Sequence, residues 1–123
     1  MYGKNVAYIL VRPQRYTLEF LDREETFSLC IFDKEYRKML NYLGSVSGRN
    51  EDKIAHAGLT VVRSDNTPFF DEANQIFICK KLVRQPMSDD ALLDKQMDST
   101  WYSNKDYHIL YIAEITKVLQ VTR

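Results

Sequence analysis

Between residues 44 and 53 the chain reads Gly-Ser-Val-Ser-Gly-Arg-Asn-Glu-Asp-Lys. This stretch combines two hydroxyls (Ser45, Ser47), a glycine that admits close backbone approach (Gly48), a guanidinium (Arg49) and an ammonium (Lys53). Those parts suit a phosphate, because exposed backbone N–H groups and a helix N-terminus favour an anion. Arg49 can contact it bidentately, and Lys53 adds a point charge one turn later. The same residues also make an ordinary helix start, with Ser47 or Asn50 as the cap. A second cluster, Arg12-Pro13-Gln14-Arg15-Tyr16-Thr17, offers two cations, a hydroxyl and an aromatic ring at an expected strand end. Read plainly, it is a strand-to-helix turn with two solvated arginines. A third stretch, Trp101-Tyr102-Ser103-Asn104-Lys105-Asp106-Tyr107-His108, is unusually aromatic for a loop entering a strand. Such rings are platforms for a flat ligand or a partner chain, and equally a cover for the core. His108 could donate a proton or touch a substrate, although a lone His at a strand start is usually structural.

Other chemistries have no support. There is no GxGxxG, no P-loop and no GxSxG elbow. His56, His108, Cys30 and Cys79 do not form a metal-ligand set. Asp89, Asp90 and Asp94 fall in a polar stretch that reads as a solvated loop.

The elements that must position these residues follow from periodicity. Val6 to Val11 is a short apolar run that reads as a strand buried on both faces, ended by Pro13. Tyr16 to Glu24 carries enough apolar residues for one or two helical turns. Thr26 to Phe32 alternates, which predicts a strand with one strongly buried face. Asp33 is a candidate N-cap for an amphipathic helix on Tyr36, Met39, Leu40 and Leu43, closed by Gly44. Glu51 to Ala57 reads as a short helix stopped by Gly58. Leu59 to Arg63 and Gln75 to Val83 read as strands, joined through an Asp65-Asn66-Thr67-Pro68 turn. Gln85 to Lys105 is polar, with at most one helical turn around Ala91 to Leu93. His108 to Val121 is the longest strand candidate, long enough to bend and serve two parts of a barrel. Strands that outnumber non-alternating helices indicate a mainly β, antiparallel barrel with peripheral helices.

Length and composition bound the rest. At 123 residues the chain has room for one domain, residues 1–123, with 45% hydrophobic and 28% charged content typical of a globular protein. Seventeen Lys+Arg balance seventeen Asp+Glu, so the basic excess expected of a nucleic-acid binder is absent. No apolar run approaches the ~20 residues that span a bilayer, and the N-terminus does not have the layout of a signal peptide. The expectation is therefore a cytoplasmic protein without nucleic-acid or membrane partners, its two cysteines reduced.

Taken in order, the segments RPQRYT, TFSLCIF, DKEYRKMLNYLGSVSGRNEDKIAHAGLT and NKDYHILYIAEI resemble the flavin reductase-like family, the FMN-binding split barrels that include flavoredoxins. The resemblance runs from about Val6 to Val118. It implies an antiparallel Greek-key split β-barrel, a homodimer, and FMN held near the subunit interface, with NAD(P)H as co-substrate. Carried over by position, Arg12, Arg15, Tyr16 and Thr17 belong to the turn beside the flavin. Ser45, Ser47, Gly48, Arg49 and Lys53 belong to the turn near the FMN phosphate. Trp101, Tyr107 and His108 lie on the substrate side. No protein residue is assigned as acid, base or nucleophile, because the flavin carries the hydride chemistry. Three departures are mild: Asn50 stands where Asp is usual, Leu43 where Cys is common, and Ala113 where Gly precedes Glu114. A larger one is that relatives carry an opening strand and a Thr/Ser-Trp-Gly-Gly turn before the equivalent of Val6, whereas this sequence begins with Met1-Tyr2-Gly3-Lys4-Asn5. The expected function is a flavin reductase-like oxidoreductase or a flavoredoxin-type electron carrier. The alternatives are a shortened, non-enzymatic dimeric split barrel that has lost flavin binding, and a module binding another phosphate ligand through Ser47 to Lys53.

Overall fold

A computed structural model describes residues 1–45 and 58–120, with side chains 44 and 45 excepted. The helix expected over Glu51 to Ala57 lies outside the described residues. Strand β1 (Val6–Val11) leads into helix α1 (Thr17–Arg23), then β2 (Thr26–Ile31), a 3-10 turn (Lys34–Tyr36) and α2 (Arg37–Ser45). After the undescribed stretch come β3 (Val61–Ser64), β4 (Thr67–Phe70) and the long β5 (Gln75–Pro86). A second 3-10 turn (Asp89–Ala91) and α3 (Lys95–Trp101) precede the equally long β6 (Ile109–Gln120).

The four-stranded sheet has the order β1-β6-β5-β2, antiparallel throughout, and β3-β4 forms a separate two-stranded ribbon. This is the expected mainly β split barrel. The long strands divide their partners. Ile109 to Glu114 of β6 pairs with β1, while Gln75 to Lys80 of β5 pairs with β2. Along these strands the β5–β6 register shifts twice, between Ile78 and Cys79 and between Lys81 and Val83. Such bulges bend a strand and increase its twist, which curls the sheet. The bent strand serving two parts of a barrel is thus β6, with β5 bending beside it.

The strand predictions need three corrections. β1 is not covered on both faces: Ile9 and Val11 turn inward, while Tyr8 and Leu10 are more than half exposed at the sheet edge. β2 has no fully buried residue. It lies between two core clusters, with Phe27 packed against Leu21, Ile109 and Tyr111, and Cys30 against Ala73, Ile76 and Ile78. The third correction concerns the expected four-residue turn. Only Asp65 and Asn66 turn, both at positive φ (49° and 71°), the signature of a tight two-residue hairpin. Thr67 and Pro68 already belong to β4. The paired order Ser64↔Thr67, Arg63↔Pro68 places Pro68 at a non-hydrogen-bonded position of that hairpin. Its missing N–H therefore costs the ribbon nothing and faces β2. Toward β2 the contact is made by side chains: Ser28 Oγ donates to Pro68 O at 2.6 Å, and the Thr26 and Thr67 hydroxyls meet at 2.6 Å. Here the barrel is split.

Among the helices, Asp33 precedes the 3-10 turn rather than α2, and its side chain makes no capping bond. α3 falls where a polar loop was expected; Asp94 caps it by accepting from Gln96 N at 3.0 Å. α1 is fixed by its last turn. Arg84 Nε donates to Asp22 Oδ1 at 2.9 Å, the fully buried Tyr111 donates its hydroxyl to the same oxygen, and Lys81 donates to Leu21 O. Among the described residues no helix is long and apolar enough to cross a membrane.

Candidate functional site

Where β1 ends, Pro13 prevents further pairing and the chain turns into α1. This turn, the start of β6 and the end of α2 enclose a cleft of about 450 Å³ lined by Leu10, Val11, Arg12, Arg15, Thr17, Leu43 and His108. Two cations, a hydroxyl and an imidazole meet there against three aliphatic walls. Among the described residues, the charged side chains that line it are Arg12 and Arg15. Such a lining favours an anionic or acceptor-rich ligand with an apolar body. Leu43, the last described side chain of α2, forms one of its walls.

The loop between β5 and β6 is latched to the cleft by Arg12. Its Nη1 donates to Asp106 Oδ2 at 3.0 Å, its Nη2 to Trp101 O at 2.8 Å, and its guanidinium lies 5.1 Å from the centre of the Tyr102 ring. Gln14 Nε2 donates to the same Asp106 oxygen at 3.0 Å. Burial by itself would raise Asp106. The bonds from its own backbone and Gln14, with the Arg12 charge, reverse this and hold the carboxyl below its ordinary value. The chain then folds back at Lys105, whose φ is +60° and whose N–H donates to Tyr102 O at 2.9 Å. That reversal brings the Tyr102 hydroxyl to 2.6 Å from His108 Nδ1, the rings edge to face at 83°. Desolvation, then the Arg12 charge, lowers the His108 pKa against the opposing pull of Asp106. Both effects favour the neutral imidazole.

Of the residues singled out from sequence, Arg12, Arg15, Thr17 and His108 come together at this cleft. Tyr16 does not line it; its ring packs edge-on against Phe20, with centroids 4.9 Å apart. Trp101 contributes its carbonyl to the Arg12 latch while its side chain is 64% exposed. Tyr107 donates to Asp98 and stacks on Tyr102, behind the cleft wall. Ser45 ends α2, and Ser47, Gly48, Arg49 and Lys53 lie outside the described residues. Sequence reasoning missed Tyr102, Asp106 and Gln14. Tyr102 is 8% exposed and sits at the centre of the aromatic stretch; the available signal was its six-residue spacing from His108 across a turn-forming Ser-Asn-Lys-Asp. Neither cysteine is placed for chemistry, and burial pushes the Cys79 thiol up to about 11.

A larger hollow of about 670 Å³ lies on the other side of Val11 and Thr17, lined among others by Ile9, Phe20, Leu21, Phe27, Leu29 and Phe70. It is the more apolar of the two, and among the described residues singled out from sequence only Thr17 reaches it.

Known structures share this architecture at low sequence identity. The FMN-binding protein from Thermus thermophilus with bound p-hydroxybenzaldehyde superposes with TM-score 0.74 at 17% identity, covering 98% of this chain and 58% of that one. Flavoredoxin of Desulfovibrio vulgaris (Miyazaki F) gives 0.74 at 21%, covering 98% and 56%. Nitrilotriacetate monooxygenase component B from Bacillus cereus gives 0.71 at 18%, covering 94% and 55%. The chain thus spans little more than half the length of these proteins. No curated protein matches it. The match that spans the chain is to the flavin reductase like domain, over residues 5–123. That range takes in the Arg12 turn, the cleft and both long strands, and the chain belongs to the flavin reductase-like domain family.

Proposed function

We propose that residues 1–123 form one FMN-binding split-barrel domain of a flavin reductase-like oxidoreductase or flavoredoxin-type electron carrier. It would pass hydride or electrons between reduced nicotinamide and flavin. The observation that carries this reading is the convergence of Arg15, Thr17 and His108 on one cleft. The family match and the flavoredoxin and FMN-binding neighbours support it.

The residues present fit a flavin. The cleft volume lies within the ~300–1,000 Å³ common for small-molecule sites. Its aliphatic walls suit a ring system, and its donors suit carbonyl and phosphate oxygens. Arg15, Thr17 and His108 would hold the ring end. Ser45, Ser47, Gly48, Arg49 and Lys53 would hold the phosphate. Arg12 acts through the loop it latches, because its guanidinium is engaged with Asp106 and Trp101 O. Tyr16 borders the turn, and Trp101 and Tyr107 stand on the nicotinamide side. When bound, FMN supplies the redox chemistry; the protein orients it and excludes water. Two copies would associate, since β1 is an open edge with Tyr8 and Leu10 exposed.

The decisive experiment is the visible absorption spectrum of the purified protein, paired with thermal unfolding at increasing FMN. Yellow protein, or a midpoint that climbs with FMN, is expected; at 100 times Kd the gain is about 2.7 kcal/mol. Colourless protein with no shift at high FMN would remove this reading and leave the non-enzymatic scaffold and the module for another phosphate ligand. Sedimentation of the same sample tests dimerisation.

A further inference from the structure

We propose that Tyr102 is a positioning residue of the cleft, its hydroxyl holding neutral His108 as the Nε2–H tautomer so that the imidazole offers the ligand a hydrogen-bond donor. The O···N separation of 2.6 Å puts the two groups in hydrogen-bond contact, and their relative donor and acceptor strengths set its direction. A phenol hydroxyl is a stronger donor than a neutral imidazole N–H, and an imidazole nitrogen a stronger acceptor than a phenol oxygen, so the favoured bond runs from Tyr102 to Nδ1. Arg12 reinforces this choice. Its guanidinium lies over the Tyr102 ring, which favours the more electron-rich phenol of a polarised O–H donor, and its charge disfavours a second proton on His108. With Nδ1 accepting, the proton of the neutral ring must be on Nε2. His108 lines the cleft, and Nε2 is its remaining polar atom.

Among the described residues, the charged and titratable groups around this pair come from two segments. Arg12 and Arg15 belong to the turn after β1, and Asp106 and Tyr107 to the loop before β6. Asp106 is paired with Arg12 at 3.0 Å and Tyr107 is bound to Asp98, so neither hydrogen-bonds the His108 ring. A donor beside Arg15 and Thr17 selects a ligand whose nearest atom is an acceptor, such as a carbonyl oxygen. The identity of that ligand rests on the flavin reading above; the tautomer does not.

The test is nitrogen-15 NMR of the histidine rings in the whole chain without ligand, followed by FMN titration monitored by flavin fluorescence. The sequence has two histidines, and His108→Gln assigns the signals. The expected result is an Nε2–H ring for His108 that titrates below its ordinary 6.5. Tyr102→Phe retains the ring over which Arg12 lies. It should mix the two tautomers, move the titration upward and weaken FMN about fivefold, the worth of one neutral hydrogen bond. An Nδ1–H ring in the wild-type protein overturns the proposal whether or not the variant folds. So does an unchanged tautomer in Tyr102→Phe. An Nε2–H ring that responds to Tyr102→Phe in a protein that binds no FMN upholds the positioning role and sinks the flavin reading instead.

Discussion

The two hollows on either side of Val11 and Thr17 are built by different means. The larger is walled by side chains of β1, α1, β2 and β4, and its neighbours Leu21, Ile109 and Tyr111 are the buried core of that end of the sheet. The smaller is walled by a turn, a strand start and a helix end, and polar contacts hold its shape: Arg12 to Asp106, Arg12 to Trp101 O, and Tyr102 to His108. Volume and apolarity alone would select the larger space as the site. Chemistry selects the smaller, because that is where donors converge. The apolar side should therefore govern stability and the polar side ligand affinity, although one short turn borders both.

Leu21→Ala makes the strongest attempt to break that division. Leu21 is buried against Ile109 and Tyr111, and a core truncation of this kind costs about 2–5 kcal/mol. Urea unfolding should show the loss as a lower midpoint at unchanged slope. At a temperature where the variant is folded, its FMN affinity should stay within about twofold of wild type, less than the worth of one hydrogen bond. A large loss of affinity would mean that the two hollows are not separable.

Asp22→Ala comes next, because Asp22 ties α1 to the sheet. Removing its carboxylate leaves the Tyr111 hydroxyl buried without its acceptor, which costs about 1–3 kcal/mol. The hydrogen bonds from Arg84 and then Tyr111 lower the Asp22 pKa below its ordinary 3.8. The sign follows: its contribution is complete above the ordinary carboxylate value and is lost as pH falls through the lowered one. Unfolding curves of wild type and variant should differ most at neutral pH and converge toward pH 3 and below.

The reach of sequence reasoning has a pattern. β1, β2 and β6 are legible because apolar residues recur at strand spacing and Pro13 marks an end. β4 is hidden by Pro68, which normally argues against a strand; it is tolerated because its missing N–H faces the seam with β2, not β3. α3 is hidden because its two large apolar residues, Met97 and Trp101, are both exposed, so no buried stripe announces a helix. At the cleft, the residue types in Arg12 to Thr17 and at His108 are visible as chemistry. The orientation of the aromatic stretch is not. Which of Trp101, Tyr102 and Tyr107 turns inward depends on the left-handed Lys105 and on Arg12 reaching across from β1. That is a tertiary fact no local pattern encodes.

Arg12→Ala reverses the Leu21 experiment. It removes the Asp106 contact, the Trp101 carbonyl contact and the guanidinium over Tyr102. The ion pair is partly exposed, so stability should drop by about 1 kcal/mol or less. FMN affinity should fall about tenfold, because the loop that holds His108 loosens. The sequence has a single tryptophan, Trp101, so its emission reports directly on the loop. Emission and affinity should change together; unaltered emission with full FMN affinity would show that the latch does not shape the cleft.

Ser28→Ala should have the smallest effect, and it probes the apolar side at its seam. Ser28 Oγ donates to Pro68 O at 2.6 Å across the gap where β2 and β4 have no ladder. The bond is exposed, so the carbonyl regains a water partner when the hydroxyl is removed, and the cost should be about 0.5 kcal/mol. Global unfolding would barely register that. Hydrogen exchange should register it locally, as faster exchange of the β3–β4 ribbon while the β5–β6 amides keep their protection. FMN affinity should be unchanged, since Ser28 lines the larger hollow and is not among the described residues lining the cleft. Equal acceleration in β5 and β6 would mean that the ribbon and the four-stranded sheet open as one unit, and that the split in the barrel is a break in hydrogen bonding without being a break in cooperativity.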